Sequence, residues 1–545
     1  MSELKMRASP SPGVRYAKNG MVASSSTLAA SAGVSVLQRG GNAFDAAIAV
    51  AGVEWIDLSA QCGLGGDVFT VFYDAKSDRV GAINGSGESA RAASRAYYVD
   101  QGLSKMPLDG WHAAAVPGAP GAYAALNEAY GTMPMSELLA PAASYAEEGI
   151  IVSDGTHRFI AGAASTLAKY PYSARRYLPE GRAPNPGERW VLPELARTIR
   201  SYAEEGPDVF YRGEIADEIV RTSREGDGLF GAEEFEAQEA DLYDPLHTTY
   251  RDFDVYTTAP PSQGVIVLEW LNLLEGYDLE SLGFGSADAL HLMVETKKLA
   301  FADRLAYCGD PRFVDNPLDE LLSKTYAETC RASIDPAKAN NEPLAGALPE
   351  RGGNTSYFAV ADAEGNVVSF IHSLSAAFGC CVVAGETGVM LNNRAGRGFT
   401  LEEGHPNVIE GGKKTMHTLN CYLLCRDGRP YAAVGTPGGD RQAQWDIQVI
   451  SNLLDHGMDV QQAVEAPRWV SWPGTDPALI DNPLEFHYED RFDAGVIGEL
   501  ESRGHRVKSM TEWGGGGALQ VIARKEDGTL LGGCDPRSRG VALGW

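Results

Sequence analysis

The run Gly352-Gly353-Asn354-Thr355-Ser356-Tyr357 carries the clearest chemistry in the chain. A segment rich in Pro, Ala, Asn and Gly, residues 335–354, ends at Thr355. A strand-like run follows at once: Tyr357, Phe358, Ala359, Val360, Ala361. Cutting the bond between Asn354 and Thr355 would leave a threonine with a free α-amine at the head of a strand. Such a residue combines nucleophile and base, because the hydroxyl attacks and the amine takes its proton. Uncut, the same stretch is a loop feeding a hairpin, as Gly-rich loops before strands commonly are.

Other polar strand ends add to it. Gly435-Thr436-Pro437-Gly438-Gly439-Asp440 follows the run Tyr431 to Val434. A Gly-Gly pair there lets backbone N–H groups converge on an anion, as in an oxyanion hole; the plainer role is a tight turn. Asn392-Asn393-Arg394 follows Val389 to Leu391, which reads as a strand. No GxSxG, P-loop, HExxH or EF-hand pattern occurs. Gly63-Leu64-Gly65-Gly66-Asp67 lacks dinucleotide spacing and reads as a turn into a strand. No two of the 10 histidines are three or four apart, so no helical metal pair forms. His291 reads as a helix-face or core histidine, and neither metal nor cofactor is expected.

These residues need elements to hold them. Four hairpins are predicted, at 67–87, 357–374, 420–436 and 518–533, each around a tight-turn signal such as Asp427-Gly428 or Asp527-Gly528. Residues 26–54 read as two helices separated by Gly40-Gly41-Asn42. Further helices are expected at 136–148, 192–204, 213–224, 286–304, 442–456 and 459–465. In 286–304, Leu290, Met293, Val294 and Phe301 mark a buried face and Lys297-Lys298 a solvated one. Strands and helices without strict βαβ alternation predict an α+β fold.

The 545 residues are 44% apolar, enough for a large core, with a formal charge of −27. That charge argues against nucleic acid and anionic membranes as partners. Met1 to Met21 shows no apolar signal core, and nothing reaches the roughly 20 apolar residues of a membrane span. The 8 cysteines contain no CxxC and suit a reducing, cytoplasmic setting.

Together the motifs resemble the γ-glutamyltransferase family of N-terminal-nucleophile hydrolases. The resemblance runs from Gly20-Met21-Val22-Ala23 and Leu37-Gln38-Arg39-Gly40-Gly41-Asn42-Ala43-Phe44-Asp45-Ala46-Ala47 through Gly63-Leu64-Gly65-Gly66-Asp67 and Pro117-Gly118-Ala119-Pro120-Gly121. It continues through Asn354-Thr355-Ser356-Tyr357, Gly385 to Asn393 and Gly435 to Gly439, and closes on Asp535-Pro536-Arg537-Ser538. It implies a proenzyme that cuts itself before Thr355. Subunits 1–354 and 355–545 would stay intertwined in a four-layer αββα sandwich, and a homo-oligomer is left open. Ser373 matches a family Thr that hydrogen-bonds the nucleophile. Gly438 and Gly439 match the oxyanion-hole pair, where losing one donor costs about 3–4 kcal/mol.

The residues that grip a γ-glutamyl group in the family are replaced. Ser86 stands at the position of an Arg and Ser375 at that of an Asn. Arg394 and Arg397 stand for a Gln and an Asp, and His417-Thr418 for a Ser-Ser pair. An ammonium beside a guanidinium is repelled and has lost its acceptor. Arg394 and Arg397 become candidate contacts for a carboxylate or dicarbonyl on the acyl side, unless they reach solvent or pair with Glu402 or Glu403. Arg91 is placed to replace the missing Arg, and His417 to hydrogen-bond substrate. Residues 399–417 are shorter than in members with a lid over the site, which favours water over an acceptor amine. The expected substrate is a small amide or acyl-amino compound other than glutathione. The alternatives are a γ-glutamyl hydrolase or transferase with a rearranged clamp, and a non-catalytic scaffold.

Overall fold

The computed structural model describes residues 13–342, 355–474 and 483–545. Fourteen strands, numbered along the chain, form two seven-stranded sheets. The first runs in the order β1 (Arg15–Ala17), β13 (Leu530–Cys534), β12 (Gln520–Arg524), β11 (Arg429–Gly435), β10 (Tyr422–Arg426), β7 (Phe253–Thr257), β6 (Leu246–Tyr250). The second runs β14 (Val541–Gly544), β2 (Gly20–Ser24), β8 (Ser356–Asp362), β9 (Val367–Ser373), β3 (Asp67–Asp74), β4 (Arg79–Gly85), β5 (Asp241–Tyr243). All four predicted hairpins are present and antiparallel. Asp427 and Gly428 both adopt positive φ, 50° and 73°, the turn that matches strand twist in a tight hairpin.

Strand β8 shows why the sheets are stacked. Every residue from Ser356 to Asp362 is buried, so neither face meets water. Phe358 and Val360 join the apolar core beneath the helices α1 (Thr27–Gln38) and α2 (Ala43–Asp57). Tyr357, Ala359 and Ala361 point the other way, into a core between the two sheets with Leu423, Ala433 and Ile522. A third core lies under the helices on the far side. These include α4 (Gly264–Leu274), α5 (Ala287–Tyr307) and α7 (Arg441–Leu454). Three cores between four layers give the expected αββα arrangement. Each fully buried Leu, Ile or Phe contributes about 1.5–3 kcal/mol to it. The sheets meet tightly at Gly435, where a Cβ would lie 2.3 Å from the Tyr357 ring.

The helices expected in the middle third are also found, including Met135–Glu148, Pro193–Glu205 and Glu214–Glu225. The next after Met135–Glu148, α3 (Asp154–Leu167), lines a cleft together with Thr355. Two expectations fail. Val389 to Leu391 is not a strand; Met390 and Leu391 make isolated bridges to Val383 and Gly65. Lys297 and Lys298 do not form a solvated face, since both are buried. The Lys297 ammonium donates to the Pro473 carbonyl at 3.1 Å and lies 4.4 Å from the Phe301 ring centre. Lys298 pairs with Glu295 at 2.6 Å. Helix α5 is covered on both sides, so its charged residues are neutralised by partners rather than by water.

Candidate active site

Register places Thr355. In the β8–β9 hairpin Ser356 faces His372, so Thr355 faces Ser373 one step further on. Their hydroxyls share a hydrogen bond at 3.0 Å, and the Ser375 N–H donates to Ser373 Oγ at 2.8 Å. Ser373 in turn faces Asp67 on β3. Thr355, Ser373 and Asp67 thus form one polar row across the ends of three neighbouring strands. Thr355 is 2% exposed and lines a cleft of about 520 Å³ together with Gly438. Asn354, the other residue of the expected cut, lies outside the described residues.

The turn between β11 and α7 carries the glycine pair. Gly438 has φ 153° and Gly439 φ 60°. A Cβ on Gly438 would lie 2.5 Å from the Trp445 ring, so both conformation and space require glycine there. The Gly439 N–H donates to the Gln442 side-chain oxygen at 3.1 Å, and the Gln442 nitrogen donates to the Thr418 carbonyl at 2.6 Å. The Gly438 N–H has no hydrogen-bond partner among the described residues, as an oxyanion donor requires.

A second, much smaller space of about 20 Å³ is lined by Arg304, Arg394, Arg397, Gly398, Met416, Thr418 and Asp440. Three of the sequence-derived substrate candidates, Arg394, Arg397 and Thr418, meet here. Arg394 and Arg397 sit on a short helix, α6 (Arg394–Gly398). Arg394 does not reach solvent or Glu402: it is buried, and its Nε donates to Asp67 Oδ2 at 3.1 Å. Burial raises the Asp67 carboxyl and lowers Arg394, and their mutual attraction opposes both shifts. Arg397 donates to the Ser375 carbonyl at 3.0 Å, which ties this hollow to the Thr355–Ser373 pair.

The other candidates divide. Ser375 is buried with φ 81°, and its hydroxyl has no partner among the described residues. His417 is buried with both ring nitrogens unpartnered, its ring 5.0 Å from that of Phe69. Burial, Arg394 and Lys414 hold its pKa well below the usual histidine range, so it is neutral. It lines neither space. Ser86 is turned inward, its hydroxyl donating to Asn84 Oδ1 at 2.6 Å. Arg91 is exposed and lines neither space.

Arg304 and Asp440 were missed from sequence. They pair at 2.6 Å, almost fully buried, and Arg304 also donates to Gln263. Their signal was present: Arg304 continues the stripe Leu290, Met293, Val294, Lys297, Phe301 down the buried face of α5, and Asp440 follows the glycine pair directly. Unpartnered polar atoms gather at the hollow, namely Arg304 Nε, Arg394 Nη2 and Asp440 Oδ2.

Two buried groups among the described residues have metal-like spacing, Glu54-Cys62-His372 and His291-Glu295-His505. Both are internally bonded. His372 Nε2 pairs with Glu54 at 2.7 Å, and His291 Nδ1 with His505 Nε2 at 2.8 Å. In the second group the Lys298 ammonium already sits against Glu295. All 8 cysteines are unpaired. No helix among the described residues is long and apolar enough to cross a membrane.

The Gamma-glutamyltranspeptidase family profile matches residues 29–545. A glutathione hydrolase-like YwrD proenzyme of Bacillus subtilis is 38% identical over 96% of this chain and 98% of its own length. The acylase ACY 1 proenzyme of a Pseudomonas species is 34% identical over 96% and 93%. The crystal structure of cephalosporin acylase from Bacillus halodurans superposes with a TM-score of 0.91 at 34% identity, covering 99% of this chain and 98% of that one. The chain therefore belongs to the gamma-glutamyltranspeptidase family, as a self-processing N-terminal-nucleophile amidohydrolase.

Proposed function

We propose that Thr355 is the nucleophile, freed by cutting the bond after Asn354, and that the enzyme hydrolyses a small amide whose acyl group bears acceptor oxygens. The Thr355–Ser373 hydroxyl pair at 3.0 Å, at a strand head that opens into a cleft, carries the assignment. Thr355 Oγ1 bonds to the amide carbon while its α-amine takes the hydroxyl proton. The Gly438 N–H receives the developing oxyanion. The C–N bond then breaks and the amine leaves with that proton. Water attacks the ester, releasing the acid and restoring the hydroxyl. Residues 1–354 and 355–545 act as one intertwined unit, and the unpaired cysteines suit a cytoplasmic setting.

The hollow supports the acyl class. Buried donors and an acceptor left without partners cost about 1–3 kcal/mol each. A ligand that offers oxygens to Arg304 and Arg394 recovers that cost. A volume of about 20 Å³ accepts little more than a carboxylate or second carbonyl next to the scissile bond. One observation favours a second reading, a γ-glutamyl substrate in a rearranged clamp: Asp440 Oδ2 is unpartnered and would accept an ammonium. Arg304, Arg394 and Arg397 around it oppose that reading.

Mass spectrometry of the processed protein tests both. The expected result is a small chain starting at Thr355, and an acyl adduct on it from a 2-oxo amide but not from a γ-glutamyl anilide. The variant Thr355→Ala should stay one uncut chain and lose turnover by more than about 10³-fold. An Ala variant that still processes would overturn the nucleophile assignment.

A further inference from the structure

The cleft beside Thr355 has a chemical character that the small hollow does not explain. Acyl groups stay bonded to the nucleophile through both steps, so a compact one suits the small hollow. The amine departs first and water takes its place, so the amine half belongs in the open cleft. Four arginines line that cleft, Arg158, Arg441, Arg537 and Arg539, against one acid, Asp57. In a protein of formal charge −27 this inverts the local sign. Arg537 is committed to Glu489 and Asp535, and Arg539 reaches Asp154 at 3.4 Å. Arg158 and Arg441 are exposed and have no carboxylate partner within ion-pair distance among the described residues. The Asp57 carboxyl accepts from Ser26 at 2.6 Å, and burial pushes its pKa up.

A second observation points the same way. The Trp445 side chain lines the cleft and is 2% exposed, yet its indole N–H has no hydrogen-bond partner among the described residues. A buried donor of this kind is normally satisfied. Its ring, with Phe159 and Phe378, also supplies an apolar wall. Phe159 is 36% exposed, next to Arg158 in the early turns of α3.

We propose that the cleft selects amides whose amine half carries a carboxylate on an aromatic or otherwise apolar body, held by Arg158 and Arg441 against Trp445 and Phe159. This deepens the reading of Thr355 as the nucleophile and rests on it. The carboxylate gains two cationic forks, and the body covers the exposed face of Phe159.

Calorimetric binding to the processed full-length protein tests it without turnover. The probes are 4-aminobenzoate and its neutral isostere 4-aminobenzamide. The acid should bind about tenfold tighter, and in the double variant Arg158→Gln/Arg441→Gln that ratio should fall to about twofold or less. The amide's affinity in the variant is the internal control for an intact cleft. Raising salt to 1 M should shrink the ratio in the parent protein too. Equal affinities in the parent, or a ratio unchanged in the variant, overturn the proposal. Failure of the parent reading shows separately, as the absence of any acyl adduct on Thr355.

Discussion

The cleft that Thr355 lines and the hollow tied to it through Ser375 differ in size and in the burial of their charges. The hollow is small, and its Arg394–Asp67 and Arg304–Asp440 pairs are buried. The cleft is some twenty-five times larger, and two of its cations are exposed. Charges in the hollow interact in a low dielectric, so a mismatched ligand there is strongly penalised. Charges in the cleft are screened, so they steer and rank ligands rather than exclude them. The difference teaches that this enzyme should be strict about the acyl half and graded about the amine half.

The most severe challenge to that contrast is Asp440→Asn. It leaves Arg304 buried without its counter-charge and should cost about 3–5 kcal/mol of stability. Urea unfolding in the uncut Thr355→Ala background measures it. A cost below about 1 kcal/mol would mean the hollow is as hydrated as the cleft. Gly438→Ala follows, since the added methyl meets Trp445 and tilts the one unengaged N–H. Turnover should fall by about 10²–10³-fold with acid and amide probes still binding.

Next comes a pH test of the hollow's surroundings. Burial presses the Lys297 ammonium from its ordinary 10.5 to about 7, opposed by Asp440 and aided by Lys298 and Arg304. Between these values the unfolded chain holds a proton that the folded one has lost, so stability rises with pH there. From pH 7 to 9 the parent should gain about 2 kcal/mol more than Lys297→Met, and below pH 7 the two slopes should converge. Parallel curves across that range would show Lys297 to be hydrated. The smallest expected effect is Ser373→Ala, a loss of about tenfold in turnover, restored by Ser373→Thr. If threonine fails to rescue, the hydroxyl pair is packing rather than chemistry.

Much of this architecture was legible because local signals agreed with the global fold. Turn pairs such as Asp427-Gly428 fixed four hairpins, and the β8–β9 turn alone dictates that Thr355 meets Ser373. The failures share a cause. Lys297-Lys298 reads as solvated because charge usually is. Whether a charge is buried depends on which element covers it, and α5 is covered by residues far along the chain, such as Pro473 and Asp440. The hollow was only half visible for the same reason. Arg394 and Arg397 lie in a recognisable stretch, while the Arg304–Asp440 pair that lines the hollow with them comes from α5 and the turn before α7.

Both sheets weave strands from before and after Thr355. In the second, β2 and β3 flank the β8–β9 hairpin; in the first, β1 and β7 flank the four strands β10 to β13. A cut before Thr355 therefore makes a new terminus without making a detachable piece. It also changes the order of the folding reaction. The uncut chain assembles itself at any dilution, whereas two separated products must first meet, at a rate set by concentration. Maturation is then a one-way step: a molecule that unfolds after cutting has lost the covalent link that let it fold, so heat or denaturant erases a mature enzyme where it would only interrupt a precursor.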